Sequence, residues 1–319
     1  KGLEGMVDYK IDITPDDYIH ELEEKDCKDY LFIAPVGETL NNEMSDVYYQ
    51  ENAFVPYHEH KKGYETFAID RGSVEVTING KRAIAETGDM IHIEPYMSHG
   101  FRFLEEGTIW RELFSGMNMY GGILEKQLID RSYPEKLQDD AFMAEYRLKH
   151  HTMRLGEPEP EVVPKEQLAQ IRPKGGSIAR FVFDGIVCNQ KVGRHETGGE
   201  KEVWEFVMEK GICVEWDSPH PDWDLYVVKE GRVEVTVLGG TFVANARDIL
   251  HFPPYTNYSM KILDHGTVVH AYNVKALGLR LAEIVEKKLE GRQDLVNNWE
   301  DVREIFRQNN SCITKISRV

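Results

Sequence analysis

The sequence predicts a mainly β protein, built as two tandem jelly-roll barrels with a helical linker between them and C-terminal helices after them. Three observations point there: short strand-like runs punctuated by turn residues, an internal repeat, and a length of 319 residues that suits two cores better than one.

Composition sets the class. Hydrophobic residues make up 41% and charged residues 29%, as in an ordinary ordered globular protein. Lysine plus arginine total 38 against 55 aspartate plus glutamate, a formal charge of −17. Such a chain repels phosphate backbones and anionic lipid heads, so neither nucleic acid nor a membrane is an expected partner and a small-molecule substrate is. Cys27, Cys188, Cys213 and Cys312 are scattered, with no C-x-x-C pair, which argues against a zinc ribbon or a disulfide framework and for the cytoplasm. No apolar run approaches the roughly 20 residues that span a bilayer, and Lys1 to Asp12 lacks a signal-peptide core.

Along the chain, residues 1–29 read as a lead-in. Thr14-Pro15-Asp16-Asp17 has a Thr cap, Pro at the first helical position and acidic residues in the first turn, which predicts a short helix through about Glu24. Residues 30–132 read as a first barrel; within it Val74 to Ile78 alternates and runs into Asn79-Gly80, a strong hairpin signal. Residues 133–176 read as a linker, with Pro134 to Met153 helical ahead of Glu157-Pro158-Glu159-Pro160. Strand-like runs resume over 177–274, the second barrel. Residues 275–319 carry two amphipathic segments, one through Leu277, Leu281, Ile284 and Val285, the other through Leu295, Trp299, Val302 and Phe306, separated by Gly291.

The repeat ties the halves together. Arg71-Gly72-Ser73-Val74-Glu75-Val76-Thr77-Ile78 recurs as Glu230-Gly231-Arg232-Val233-Glu234-Val235-Thr236-Val237, 159 positions on. The same offset carries Asp89 to Asp248, His92 to His251, Pro95 to Pro254 and Tyr96 to Tyr255. One β fold occurring twice explains this register without invoking any chemistry.

Chemistry enters with Pro56-Tyr57-His58-Glu59-His60, which places two imidazoles at i and i+2, on one face of a strand. After the turn-like Lys61 to Tyr64, Glu65 opens the run Glu65 to Ile69. By period two, Glu65, Phe67 and Ile69 face one way, so Phe67 and Ile69 are candidate substrate contacts beneath a carboxylate. Gly88-Asp89-Met90-Ile91-His92-Ile93-Glu94-Pro95 then leads through Tyr96-Met97-Ser98 to His99.

These two blocks resemble the two motifs of the cupin superfamily, the first supplying His-x-His and a Glu, the second a single His after Gly-Asp, a strand and Pro. The resemblance covers Phe54 to Phe103 and extends through the repeat to Ile212 to Ile262. It implies a bicupin with one intact metal-binding barrel, in which His58, His60, Glu65 and His99 hold one divalent transition metal. Three neutral imidazoles and a carboxylate suit Fe, Mn, Ni, Co or Zn, with Fe preferred, and leave positions open for water or substrate. In the second barrel the same offset replaces His58, His60, Glu65 and His99 by Asp217, Pro219, Asp224 and Tyr258, so no metal is expected there. Trp216, Trp223 and Tyr226 are possible lining for a second small-ligand pocket.

The resemblance leads to an expected metal-dependent enzyme and homodimer. The first reading is a dioxygenase acting on a small oxygenated acid, hydroxy, keto or phenolic. Gentisate-cleaving bicupins, however, are recognised by three histidines without the glutamate that Glu65 supplies here. The alternatives are a redox-free isomerase, lyase or decarboxylase on a hydroxy, keto or sugar acid, and a binding or structural cupin without catalysis. No catalytic residue is identified; Tyr57 and Tyr96 flank the ligands as candidate bases. His92, kept as His251, is read as structural, His150-His151 as a solvated pair, and His195, His220, His265 and His270 stay unassigned.

Overall fold

Apolar residues at every second position give strands with one face to bury, and here those faces close on one another in pairs of sheets. A computed structural model describes residues 10–11, 18–34, 42–183, 185–216, 223–274 and 313–318. They fall into two compact units, one of residues 18–175 and one formed by the remainder.

In the unit of residues 18–175, a seven-stranded sheet runs in the order Ile171–Arg172, Met90–Ile93, Tyr64–Arg71, Thr108–Ser115, Asn42–Tyr49, Cys27–Ile33, His20–Glu23. A six-stranded sheet runs Thr152–Arg154, Phe54–His60, His99–Phe103, Ser73–Ile78, Lys81–Glu86, Glu161–Val162. Val47, Phe67, Ile69 and Trp110 from the first sheet meet Val74, Val76, Phe101 and Phe103 from the second in one core, where each fully buried side chain contributes about 1.5–3 kcal/mol. This is a mainly β jelly roll. The Asn79-Gly80 signal is realised: both residues have positive φ, 48° and 76°, and Ile78 pairs with Lys81 across the turn.

The other unit repeats the plan. Its seven-stranded sheet runs Lys10–Ile11, Ile249–Phe252, Asp224–Glu230, Thr267–Val274, Glu202–Met208, Ile186–Val192, Ala179–Phe183, and its five-stranded sheet runs Gly240–Ala244, Val233–Val237, Tyr258–Ile262, Ile212–Trp216, Ile313–Arg318. The strands Cys27–Ile33, Met90–Ile93, His99–Phe103 and Thr108–Ser115 recur at the same 159-residue spacing as Ile186–Val192, Ile249–Phe252, Tyr258–Ile262 and Thr267–Val274. The duplication therefore extends well beyond the stretch where residue identities reveal it.

Some elements differ from expectation. Thr14 to Asp17 lie outside the described residues, but His20–Glu23 is an edge strand paired with Cys27–Ile33, not the end of a helix. Leu22 is buried against Leu31 and Tyr120, and that tertiary burial overrides the local helix signals. A helix at Met119–Ser132, capped by the Asn118 side chain, was not anticipated, because its Gly121-Gly122 pair disguises it. Over Pro134 to Met153 there is a 3-10 turn at Pro134–Gln138, a helix at Asp140–Lys149 capped by Asp139, and then a strand, Thr152–Arg154. The amphipathic segments from Leu277 and Leu295 lie outside the described residues; Ile313–Arg318 is a strand on Ile212–Trp216 rather than helix. Among the described residues no helix is long and apolar enough to cross a membrane.

Candidate metal centre

His58 and His60 leave the strand Phe54–His60 on one face, as their i, i+2 spacing requires. His99 opens the adjacent strand directly opposite His58, and Glu65 comes from Tyr64–Arg71 in the other sheet. The tight return between His60 and Glu65 needs Gly63. Its φ is +87°, and a Cβ there would lie 2.6 Å from Met117 Cε and 2.9 Å from the Ser115 carbonyl oxygen. On the far side, the Tyr96 amide donates to the His60 carbonyl at 2.7 Å from a left-handed conformation, fixing the turn that delivers His99.

The structure brings all four side chains together, their ligand atoms within 4.8 Å of one another. His58 Nε2 lies 2.9 Å from His60 Nε2, His60 Nε2 lies 3.1 Å from Glu65 Oε1, and His99 Nε2 lies 2.9 Å from Glu65 Oε2. The outer nitrogens are engaged: His58 Nδ1 donates to the Pro56 carbonyl at 2.7 Å, His99 Nδ1 to the Met97 carbonyl at 2.8 Å, and His60 Nδ1 meets Thr152 Oγ1 at 3.1 Å. Those bonds fix the tautomer that turns the Nε2 lone pairs inward. Glu65 Oε2 and His99 Nε2 are buried with no aligned hydrogen bond, and two imidazole lone pairs converge beside them. A cation bound among them satisfies every one of these atoms, so the donor set fits a divalent metal.

The electrostatics agree. Burial, joined by the facing His99 and His60 rings, pushes His58 down to about 3 against the pull of Glu65, so it is neutral and able to ligate. Burial would raise the Glu65 carboxyl, but His60 and His99 outweigh it and hold Glu65 well below the ordinary carboxylate range. Burial would likewise lower His99, and Glu65 reverses the sign and raises it.

His58, Glu65 and His99 open onto a cavity of about 180 Å³ in the barrel interior. Phe67 lies on its wall together with Phe101 and Trp110; Ile69, 1% exposed, sits in the core and does not line it. The Tyr57 hydroxyl accepts from the Gly80 amide at the hairpin, and Tyr96 is 66% exposed, so neither faces the cavity. Sequence reasoning missed the acidic part of the wall, Glu24, Asp29 and Glu112. The alternation Trp110, Glu112, Phe114 does not mark them by itself, because only the structure shows that this strand is buried along its whole length.

The remaining histidines sort by contact. His92 Nδ1 lies 2.9 Å from Thr66 Oγ1, and His251 packs on Trp223. His150 is not simply solvated: its Nε2 lies 2.9 Å from Glu125 Oε2 and its ring packs on Tyr146. His270 pairs with Glu205, His265 is exposed, and His220 lies outside the described residues. In the second barrel, Tyr258 and Asp224 occupy the places of His99 and Glu65; Tyr258 donates to Asp224 Oδ2 at 2.8 Å and its hydroxyl lies 2.9 Å from that of Tyr226. Asp217 and Pro219 lie outside the described residues.

A barrel of two packed sheets with three histidines and a glutamate converging inside it is the arrangement of a metal-binding β-barrel protein. Residues 45–109 match the family profile described as the cupin domain. Among solved structures, a mutant of Bacillus subtilis oxalate decarboxylase is similar with a TM-score of 0.54 at 17% identity, over 85% of this chain and 78% of that one. The same enzyme at pH 4.6 gives a TM-score of 0.53 at 16% identity, and a structure concerned with its Mn(II) centres gives 0.51 at 16%, each with the same coverage. No curated protein matches the sequence. Residues 45–109 thus carry the cupin-domain match, and the fold of the described residues is the two-barrel, bicupin one.

Proposed function

We propose that the N-terminal barrel is the active site of a metal-dependent enzyme acting on a small, oxygen-chelating organic substrate by redox-free chemistry of the decarboxylase, lyase or isomerase kind. One observation carries this: His58, Glu65 and His99 form part of the wall of the same cavity that Phe67, Phe101 and Trp110 line. His58, His60, Glu65 and His99 would hold one divalent ion, which supplies a Lewis acid for a substrate oxygen. The aromatic wall excludes water and accepts an apolar body.

The redox-free reading stands ahead of the oxygen-dependent one that the sequence put first. The cavity holds carboxyl groups beyond Glu65, and proton carriers are what lyase and isomerase chemistry needs. The fold shared with oxalate decarboxylase, an enzyme with Mn(II) centres, supports it. A dioxygenase acting on a phenolic or keto acid is the second reading, favoured by the Phe67–Trp110 stack, centroids 4.3 Å apart and 17° between planes, which offers a flat wall to an aromatic ring.

Metal analysis followed by assay of hydroxy and keto acids, with and without oxygen, separates them. The expected result is turnover that persists anaerobically with Mn(II) or Zn(II) and is lost in His58→Ala; substrate-dependent oxygen uptake would install the second reading instead. A cytoplasmic homodimer belongs to the same proposal, and light scattering on the eluting protein tests its oligomeric state.

A further inference from the structure

Away from the metal ligands, the cavity wall carries carboxyls that no cation neutralises: among the described residues that line it there is no lysine or arginine. Glu112 lies between Phe67 and Ser45 in the strand register, on the sheet that also carries Glu65, and is 7% exposed. Its Oε1 accepts from Trp110 Nε1 at 2.7 Å, and among the described residues its Oε2 has no hydrogen-bond partner. Trp110 cannot shift to release it. The indole is 1% exposed, stacked on Phe67 and met edge-on by Phe101 and Phe103. Asp29, from Cys27–Ile33, lines the same cavity, and its Oδ1 is buried without a partner.

We propose that Glu112 is the proton donor of this cavity, a catalytic general acid whose Oε2 faces a small substrate that is neutral or singly anionic. The proposal rests on the metal-dependent, redox-free reading above and names the residue that reading lacks. Burial first, then the charge of Asp29, lifts Glu112 well above the ordinary carboxylate range against the Trp110 hydrogen bond, which favours its acid form. Burial, against a hydrogen bond with Ser45, pushes Asp29 up to about 7, so it is poised to pass a proton near neutrality. Were these groups ionised together with Glu65, three carboxylates would share one apolar space, which is costly.

The step balances without an oxidant. As carbon dioxide leaves a keto acid, the broken C–C bond leaves its electron pair on the adjacent carbon. The Oε2–H bond of Glu112 breaks, the proton forms the new C–H bond, and the O–H pair stays on the carboxylate, which remains held through Oε1 by the Trp110 N–H. Water then restores the proton. With no lysine or arginine among the described residues of the wall, a dianion would find no counter-charge there beyond an ion held by the metal ligands.

Glu112→Gln keeps the acceptor for Trp110 and removes the proton. Two measurements test the proposal: the infrared band of a protonated carboxylic acid in the metal-free protein at pH 7, and carbon dioxide release from acetoacetate by the Mn(II)-loaded protein. The expected result is a wild-type band that is missing from the Glu112→Gln spectrum, Mn(II) affinity within about twofold of wild type, and a rate reduced by roughly 10²–10⁴. An unchanged infrared band, or a variant that releases carbon dioxide at the wild-type rate, overturns the Glu112 assignment alone. Wild-type protein that binds no Mn(II), or binds it and leaves acetoacetate untouched, overturns the metal-enzyme reading and this assignment with it.

Discussion

Arg111 and Asp46 form a two-pronged ion pair, Nε to Oδ1 at 2.7 Å and Nη2 to Oδ2 at 3.0 Å, with neither side chain exposed. At the repeat-related positions His270 and Glu205 make the corresponding contact, 3.2 Å between Nε2 and Oε2, with Lys191 Nζ 3.3 Å from the same oxygen. Both barrels thus bury one carboxylate beside a basic partner on the same strand pair. The first uses a guanidinium that never titrates; the second uses an imidazole that does.

Removing Arg111 while leaving Asp46 should therefore be expensive. Arg111→Ala strands a buried carboxylate and is expected to cost about 3–5 kcal/mol. Urea unfolding is the measurement, and Asp46→Asn combined with Arg111→Leu should recover much of the loss because no uncompensated charge is left. A loss under about 1 kcal/mol for the single variant would mean that Asp46 finds another partner.

The second pair makes stability depend on pH. Burial pushes His270 from 6.5 down to about 4, even though Glu205 pulls the other way. Burial would raise Glu205, but His270 and Lys191 hold it at about 2. Both folded values lie below the unfolded ones, so the unfolded chain binds more protons. The His270 contribution is complete above pH 6.5 and is lost as pH falls toward 4; that of Glu205 is lost at lower pH still. Denaturation midpoints should fall on acidification through pH 6 to 4, and His270→Gln should flatten that part of the curve. A His270→Gln profile that overlays the wild type would remove His270 as the cause.

Much of this was legible in the residues, and the limits have physical reasons. Asn79-Gly80 dictates its own hairpin because both residues tolerate positive φ. His58, His60 and Glu65 were legible because period two fixes which way a strand side chain points, and His99 joined them only through the resemblance to the cupin motifs. The edge strand His20–Glu23 was not, because what makes it a strand is burial of Leu22 beside Leu31 and Tyr120, and Tyr120 is remote in sequence. Glu112 was hidden for a related reason. A glutamate between Trp110 and Phe114 can be recognised as cavity-lining only once the position of the cavity is known. Tyr57 was a candidate base in sequence because it flanks His58, but its hydroxyl is committed to the Gly80 amide.

The outer hydrogen bonds of the ligands should show in metal affinity. Thr152→Val keeps the shape of the side chain and deletes the oxygen 3.1 Å from His60 Nδ1. Losing the group that orients a ligating imidazole weakens metal binding by about 10–100-fold. Titration with Co(II), followed by its visible absorbance, measures this. Equal affinity in the variant and the wild type would mean that the strand pairing of Thr152 with His60 holds the ring by itself.

Metal stoichiometry tests the asymmetry between the barrels. In the first, His99 Nε2 and Glu65 Oε2 stand 2.9 Å apart without an aligned hydrogen bond, a pair of donors left for an ion. In the second, Tyr258 and Asp224 satisfy each other at 2.8 Å, and Tyr258 is stacked on Phe252 with centroids 3.9 Å apart. A phenol that donates to its neighbouring carboxylate competes with a cation for that carboxylate, so the second pair is closed to metal. Elemental analysis should find one divalent ion per chain in the wild type and none in His99→Ala. Tyr258→Phe should still bind one, while losing about 1–3 kcal/mol of stability from the freed Asp224 oxygen. Two ions per wild-type chain would show that a carboxylate and a phenol suffice in the second barrel, and that pairing within a site does not exclude a metal from it.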